Sequence, residues 1–184
     1  METAAARKPQ RGDELDLRVE SLAFGGNGVA RLDGYVVFVA GAVPGDRVRA
    51  LITKRKRDYA EARAVEVLEP SPDRIAPRAG HPGAPWQVLP YERQLEVKRA
   101  QVAEALRRLG RLGDVDVQPI VPAVQEWRYR NKAEFSFGRG DRLELGFHPP
   151  GRWNEVAPME ECLLVSERAD AARRAVLEWL VGAL

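Results

Sequence analysis

The sequence predicts an α+β chain, mostly β, in which a small five-stranded barrel is followed by a second, smaller α+β region. Three observations carry this. Short β-forming runs recur at close spacing through the first third of the chain, each ended by a tight-turn signal. A helical period enters only later, from Tyr91 and again from Ser166. Between the barrel and the first helix lies a stretch dense in proline and glycine that fits neither period.

Residues 1–10 are small, basic and polar without periodicity, and are expected to be a disordered arm. From Asp13 the pattern changes: Leu15, Leu17, Val19 and Ser21 alternate with Glu14, Asp16, Arg18 and Glu20, one apolar and one charged face of a strand. Val29 to Leu32 and Val36 to Val39 are two further strands, with Asp33-Gly34 as their hairpin turn and Pro44-Gly45-Asp46 as the next turn. Gly25, Gly26 and Gly28 mark either a barrel corner or a place where a ligand approaches the backbone. Arg47 to Ile52 and Tyr59 to Leu68 complete a count and spacing typical of a closed, OB-like barrel.

On the fourth strand Val48, Ala50 and Ile52 point inward, so Arg47 and Arg49 point out. The turn that follows is Lys54-Arg55-Lys56-Arg57-Asp58, and Arg63 lies on the strand beyond it. This local basic patch suits a phosphate backbone, and such binding weakens steeply with salt. In isolation a solvated lysine–arginine turn would look the same.

Glu69-Pro70-Ser71-Pro72 reads as a boundary. His81-Pro82-Gly83 reads as a turn, with no second His or Cys near it to suggest a metal, and His148-Pro149 reads as a turn in which His148 is a turn residue rather than a base. Leu95, Val97, Val102, Ala105, Leu106 and Leu109 form the apolar side of a helix that stops at Gly110. Asp114 to Val121 is predicted as a short strand. Trp127 to Gly138 is predicted as a longer one, with Trp127, Tyr129, Phe135 and Phe137 on one face and Arg128, Arg130 and Lys132 on the other. The aromatic face fits either core packing or base stacking, and the cations are candidate RNA contacts. Gly140-Asp141 turns into a hairpin strand over Leu143 to Phe147, Asn154 to Ala157 extends the sheet, and Ser166 caps a final helix.

The composition sets further bounds. At 184 residues, 30% charged and 45% hydrophobic, the chain resembles an ordinary globular protein, and its net charge of +2 implies no polyanionic partner by itself. Its one cysteine, Cys162, excludes an internal disulfide and any site built from several thiolates. No secretory apolar region opens the chain and no window approaches the roughly 18 apolar residues of a membrane span, so no membrane partner is expected and the expected compartment is the cytoplasm.

The run LAFGGNGVARLDGYVVFVAGAVPGDRVRALITKRKRDYAEARAVEVLEPSPDR resembles a TRAM domain, an RNA-binding barrel found in many RNA-modifying enzymes, here over residues 11–70. PWQVLPYERQLEVKRAQVAEAL, YRNKAEFSFG, LGFHPPGRWNEV and MEECLLVSERAD, in that order, resemble the central region of the bacterial RNA (uracil-C5)-methyltransferases that make 5-methyluridine in 23S rRNA and tRNA. That resemblance assigns residues 71–184 to a central α+β RNA-binding region. It implies that an S-adenosylmethionine domain follows in the family. It also implies chemistry in which a cysteine thiolate adds to the uracil and a carboxylate removes the C5 proton.

Two departures limit what carries over. Many rRNA members hold a four-iron cluster on three cysteines before the PWQ-like segment and a fourth that matches Cys162. Here the first three are absent, so no cluster and no other metal is expected. No strand-to-helix glycine loop for S-adenosylmethionine is present, and Cys162 does not match the nucleophile, so neither catalytic nor cofactor-binding residues are assigned. The expectation is therefore the RNA-binding portion of a uracil methyltransferase, truncated before its cofactor domain, monomeric and inactive alone unless a separate catalytic domain completes it. Its expected contacts are Arg47, Arg49, Lys54, Arg55, Lys56, Arg57, Arg63, Arg128, Arg130 and Lys132. A stand-alone TRAM-type RNA-binding or RNA-chaperone protein and a protein-interaction module are the alternatives.

Overall fold

The computed structural model describes residues 8–140, 142–149 and 151–183, which form two compact units. Of the described residues, the first holds 8–76 together with Trp86–Val121, and the second holds Pro77–Pro85 and those from Pro122 onward. The region expected as one body from residue 71 is thus divided between the two. Residues 1–7 of the expected arm, and Asp141 of the expected turn, lie outside the described residues.

The first unit is built on β1 (Glu14–Leu22), β2 (Gly28–Leu32), β3 (Tyr35–Ala40), β4 (Arg47–Arg55) and β5 (Tyr59–Glu69). These close in the order β1-β2-β3-β5-β4, with β3 and β5 parallel and the remaining pairs antiparallel. Period-two alternation fills the interior with Leu17, Val19, Ala30, Val37, Val39, Val48, Ala50, Ile52, Ala60 and Ala62. The small residues on β4 and β5 let a barrel of only five strands close without overpacking.

Turn chemistry sets the register. Asp33 and Gly34 both take positive φ, 47° and 83°, the geometry that twists a two-residue hairpin correctly. Gly28 is buried, and a Cβ there would lie 2.8 Å from Val19 Cγ1 and 3.0 Å from the Ala42 carbonyl oxygen, so the position has no room for a side chain. At this glycine the barrel-corner alternative holds.

Helix α1 (Tyr91–Arg108) belongs to the first unit. Leu22, Val43 and Leu89 form a small core there, with Trp86, Val88 and Val97 packed against it. The side chain of Gln101 donates to the Leu22 carbonyl at 3.0 Å, and Gln94 donates to those of Trp86 and Leu89. The barrel-facing side of the helix therefore carries Gln94, Val97 and Gln101. Val102 and Leu109, predicted on the buried stripe, are 47% and 84% exposed. Residues 114–121 form no strand; Val117 instead accepts the Arg99 guanidinium on its carbonyl, which ties the segment back to α1.

In the second unit β6 (Ser136–Arg139), β7 (Leu143–Phe147) and β8 (Ala157–Pro158) form a three-stranded sheet in that order, and α2 (Glu167–Ala183) packs on β7. Ser166 caps α2, its Oγ accepting the Ala169 amide at 3.2 Å. The long strand expected from Trp127 does not form. Arg128 takes φ 62°, which breaks the extension, and only an isolated bridge from Arg130 to Val165 precedes β6. Among the described residues no helix is long and apolar enough to cross a membrane.

Candidate nucleic-acid interface

The loop from β4 to β5 is held from below. Tyr35 is buried in the barrel wall, and its hydroxyl lies 2.7 Å from the Lys56 carbonyl oxygen and 2.5 Å from that of Tyr59. The Lys56 amide donates to the Tyr59 carbonyl, and the Lys8 ammonium caps the Arg57 carbonyl. Lys8 also stands over the Tyr35 ring, so residues 8–10 of the expected disordered arm lie against the barrel. The backbone is pinned while Lys54, Arg55, Lys56 and Arg57 point into water.

Their charges differ in how far they are already answered. Lys54 pairs with Glu61 at 3.4 Å and Arg57 touches Asp58 at 4.0 Å, both well exposed. Among the described residues Arg55, Lys56 and Arg63 take part in no ion pair. Arg47 and Arg49, expected to share the patch, are met by carboxylates from both neighbouring strands. Arg47 pairs with Glu69 at 2.7 Å and Asp16 at 3.5 Å, Arg49 with Glu66 at 2.7 Å and Asp16 at 3.8 Å. The hydrogen bond from Arg47 holds the Glu69 carboxyl below its ordinary pKa, a sign that this end of β4 is charge-balanced. The cationic surface is therefore concentrated at the loop.

Beside it, the outer face of β2, β3 and β5 presents aromatic rings. Val37 and Val39 point inward, so Phe38 points out, paired in register with Val29 on β2 and Glu61 on β5. Its ring meets that of Tyr59 edge-on, with centroids 5.5 Å apart. Arg31 and Arg63 lie on the same strands, facing outward. Aromatic faces bordered by cations are what unpaired bases and their phosphates require. In the sequence Phe38 and Tyr59 read only as strand residues, although the inward parity of Val37 and Val39 is enough to place Phe38 outside.

The candidates in the second unit are used differently. The Arg128 guanidinium donates to the carbonyls of Cys162 and Val165 and pairs with Glu161, so it braces the chain. Lys132 pairs with Glu134 at 2.8 Å in full exposure. Arg130 is half-buried, takes part in no ion pair among the described residues, and lies near enough to His81 for its charge to act there.

Cys162 is buried, with its Sγ 3.4 Å from His81 Nε2. One cysteine beside one histidine does not provide the four ligands of an iron–sulfur cluster, so the donor set does not fit that group. Nor does the Gly25-Gly26-Asn27-Gly28 loop fit S-adenosylmethionine: it joins antiparallel β1 and β2, whereas a nucleotide-type cofactor needs a glycine loop that opens a helix.

The TRAM domain family matches residues 8–65, which take in β1 to β4, the basic loop and the first part of β5. The barrel is a TRAM domain. The chain is 37% identical over 185 residues to an uncharacterized RNA methyltransferase of Porphyromonas gingivalis, covering 89% of this chain and 40% of that protein. It is 36% identical over 175 residues to another of Halalkalibacterium halodurans, covering 91% and 38%. The crystal structure of Pyrococcus abyssi tRNA (uracil-54, C5)-methyltransferase with S-adenosyl-L-homocysteine superposes with a TM-score of 0.61 over 90% of this chain and 36% of that one. At 24% identity this shows a shared fold. The chain thus joins a TRAM domain to a further part of the RNA methyltransferase family, and it spans about two fifths of the length of the curated relatives it matches.

Proposed function

We propose that these residues are the RNA-binding portion of an S-adenosylmethionine-dependent RNA (uracil-C5)-methyltransferase that acts on rRNA or tRNA in the cytoplasm. The observation that carries the reading is the rigid Lys54–Arg57 loop beside the Phe38–Tyr59 pair, on a TRAM barrel shared with RNA methyltransferases. The loop supplies sequence-independent attraction to phosphate and the rings supply surfaces on which bases stack. Of the three cations expected to contact RNA in the second unit, Arg130 is the one without an ion pair among the described residues.

The methyl donor would be held by a part of the enzyme other than these residues, since the Gly25-Gly26-Asn27-Gly28 loop joins two antiparallel strands and opens no helix. The role of this chain is to bring the RNA to that site and hold it there. Binding of tRNA and of a 23S rRNA fragment, followed by fluorescence anisotropy at low ionic strength, tests the reading. Association is expected to weaken steeply as salt rises, with no methyl group transferred by the chain on its own. No association at low salt would overturn it.

A further inference from the structure

Phe24 is 95% exposed, the most solvent-laden of the large apolar side chains on the barrel. Its loop is not loose. The Ala23 amide donates to the Asn27 carbonyl at 2.8 Å and the Gly26 amide to the Ala23 carbonyl at 3.0 Å, closing a tight turn at the end of β1. Gly26 takes φ 96°, and a Cβ there would lie 2.5 Å from Trp86 Nε1, so the loop is seated directly on the indole. Trp86 in turn packs against the Leu22, Val43 and Leu89 core. A bulky ring has been placed on a pinned turn and pointed at water.

A cation accompanies it. Lys98 on α1 stands over the same indole, its Nζ 5.9 Å from the ring centroid, and is exposed without an ion pair among the described residues. Phe24 is flanked by exposed Gly25 and Asn27, so it is not part of a broad apolar patch of the kind that docks proteins. An exposed π face, on a loop that also carries Asn27 and rests on an indole covered by an ammonium, suits a ligand that is flat, polar at its edges and anionic nearby. A nucleobase on its phosphodiester has that chemistry.

We infer that Phe24, on the loop seated against the indole that Lys98 covers, is a stacking site for an unpaired base of RNA, separate from the Lys54–Arg57 loop. The inference rests on the RNA-binding reading above and names the class of RNA: one with an unpaired strand. The two ends are joined along the last part of β4 and the whole of β1: Glu14, where β1 starts, pairs with Leu51, four residues before the end of β4 at Arg55, and β1 finishes at this turn. That path is about 40 Å at roughly 3.3 Å per residue, a distance a single strand of several nucleotides can cross, in keeping with OB-fold sites of about 4–16 nucleotides.

The test compares an unstructured 12-nucleotide RNA carrying 2-aminopurine with a 12-base-pair RNA duplex, binding to the whole chain. Phe24→Ala and Phe24→Leu are expected to weaken binding of the single strand by about tenfold or more and to abolish 2-aminopurine quenching. Phe24→Trp is expected to keep both, and duplex affinity is expected to be unchanged in all three. Equal thermal midpoints of the variants and the parent confirm that the effect is local. If the parent binds the single strand and Phe24→Ala binds it equally well, the stacking site is overturned while the RNA reading stands. If the parent binds neither RNA, the RNA reading falls and this inference with it.

Discussion

Arg74 closes on Asp46 with Nη2 2.7 Å from Oδ2 and Nε 3.0 Å from Oδ1, around a carboxylate that is wholly shielded from solvent. The same carboxylate accepts the amides of Val43 and Ser71, so one side chain ties the turn before β4 to the segment after β5. Burial alone would push the Asp46 pKa up. The hydrogen bond from Arg74, those from the two amides and the Arg74 charge outweigh it, and the carboxyl is held below its ordinary value.

The pair should therefore dominate the stability of the barrel's closure. Either Asp46→Ala or Arg74→Ala is expected to cost about 3 kcal/mol or more in urea unfolding, because each leaves its partner unanswered. The double variant should cost less than the sum. Since the folded pKa lies below the unfolded one, the contribution of Asp46 is full above the ordinary carboxylate range and is lost as the pH falls through the folded value. Asp46→Asn should accordingly show a shallower loss of stability in acid than the parent.

Charge pairing separates two groups of cations that look alike in the sequence. Replacing Lys54, Arg55, Lys56 and Arg57 with alanine is expected to lower RNA affinity and to flatten its salt dependence, by about 0.7 in the log–log slope for each phosphate of a single strand that is no longer neutralised. Replacing Arg47 and Arg49 should change both little, because Asp16, Glu66 and Glu69 already neutralise them. Anisotropy titrations at three or more salt concentrations would distinguish the two sets, and equal losses would show that the β4 ladder opens to receive RNA.

This contrast also marks where the sequence stops being legible. Strand alternation places Val48, Ala50 and Ile52 inside and the arginines outside, because parity is a local property. What answers those arginines comes from Asp16 on β1 and from Glu66 and Glu69 on β5, and such pairing is visible only once the barrel has closed. The strand expected from Trp127 is broken at Arg128, which takes positive φ while its side chain reaches the Cys162 and Val165 carbonyls, and regular pairing begins only at Ser136. The Asp33-Gly34 hairpin and the Ser166 cap are readable because each is decided by a few adjacent residues.

His81 gives the second unit a pH dependence of definite sign. Burial, and then the charge of Arg130, hold its imidazole below the ordinary pKa. The Gly83 amide donates to Nδ1 at 3.0 Å, a bond that a proton on Nδ1 would destroy. The unfolded chain therefore takes up a proton more readily than the folded one. Stability is expected to be level above the ordinary imidazole range and to fall as the pH drops through that range toward the folded value. His81→Phe should remove this part of the profile in thermal unfolding, and Arg130→Ala should make it smaller by bringing the folded pKa back up. An NMR titration of the imidazole that showed an ordinary pKa would contradict the assignment.

Helix α1 offers a test of which side chains hold it to the barrel. An apolar stripe normally supplies that attachment, yet Val102 and Leu109 face water while Gln101 spans to the Leu22 carbonyl. Val102→Lys and Leu109→Lys are accordingly expected to change unfolding free energy by no more than about 0.5 kcal/mol, as for other surface positions. Gln101→Ala should cost about 1 kcal/mol, because it removes the donor and exposes the edge of the Leu22, Val43 and Leu89 core. Val97→Ala should cost more again, since Val97 is the aliphatic side chain of the helix packed against that core. The opposite ranking, with the lysine variants the more damaging, would mean that the stripe at Val102 and Leu109 is covered in solution and that α1 is held from its other side.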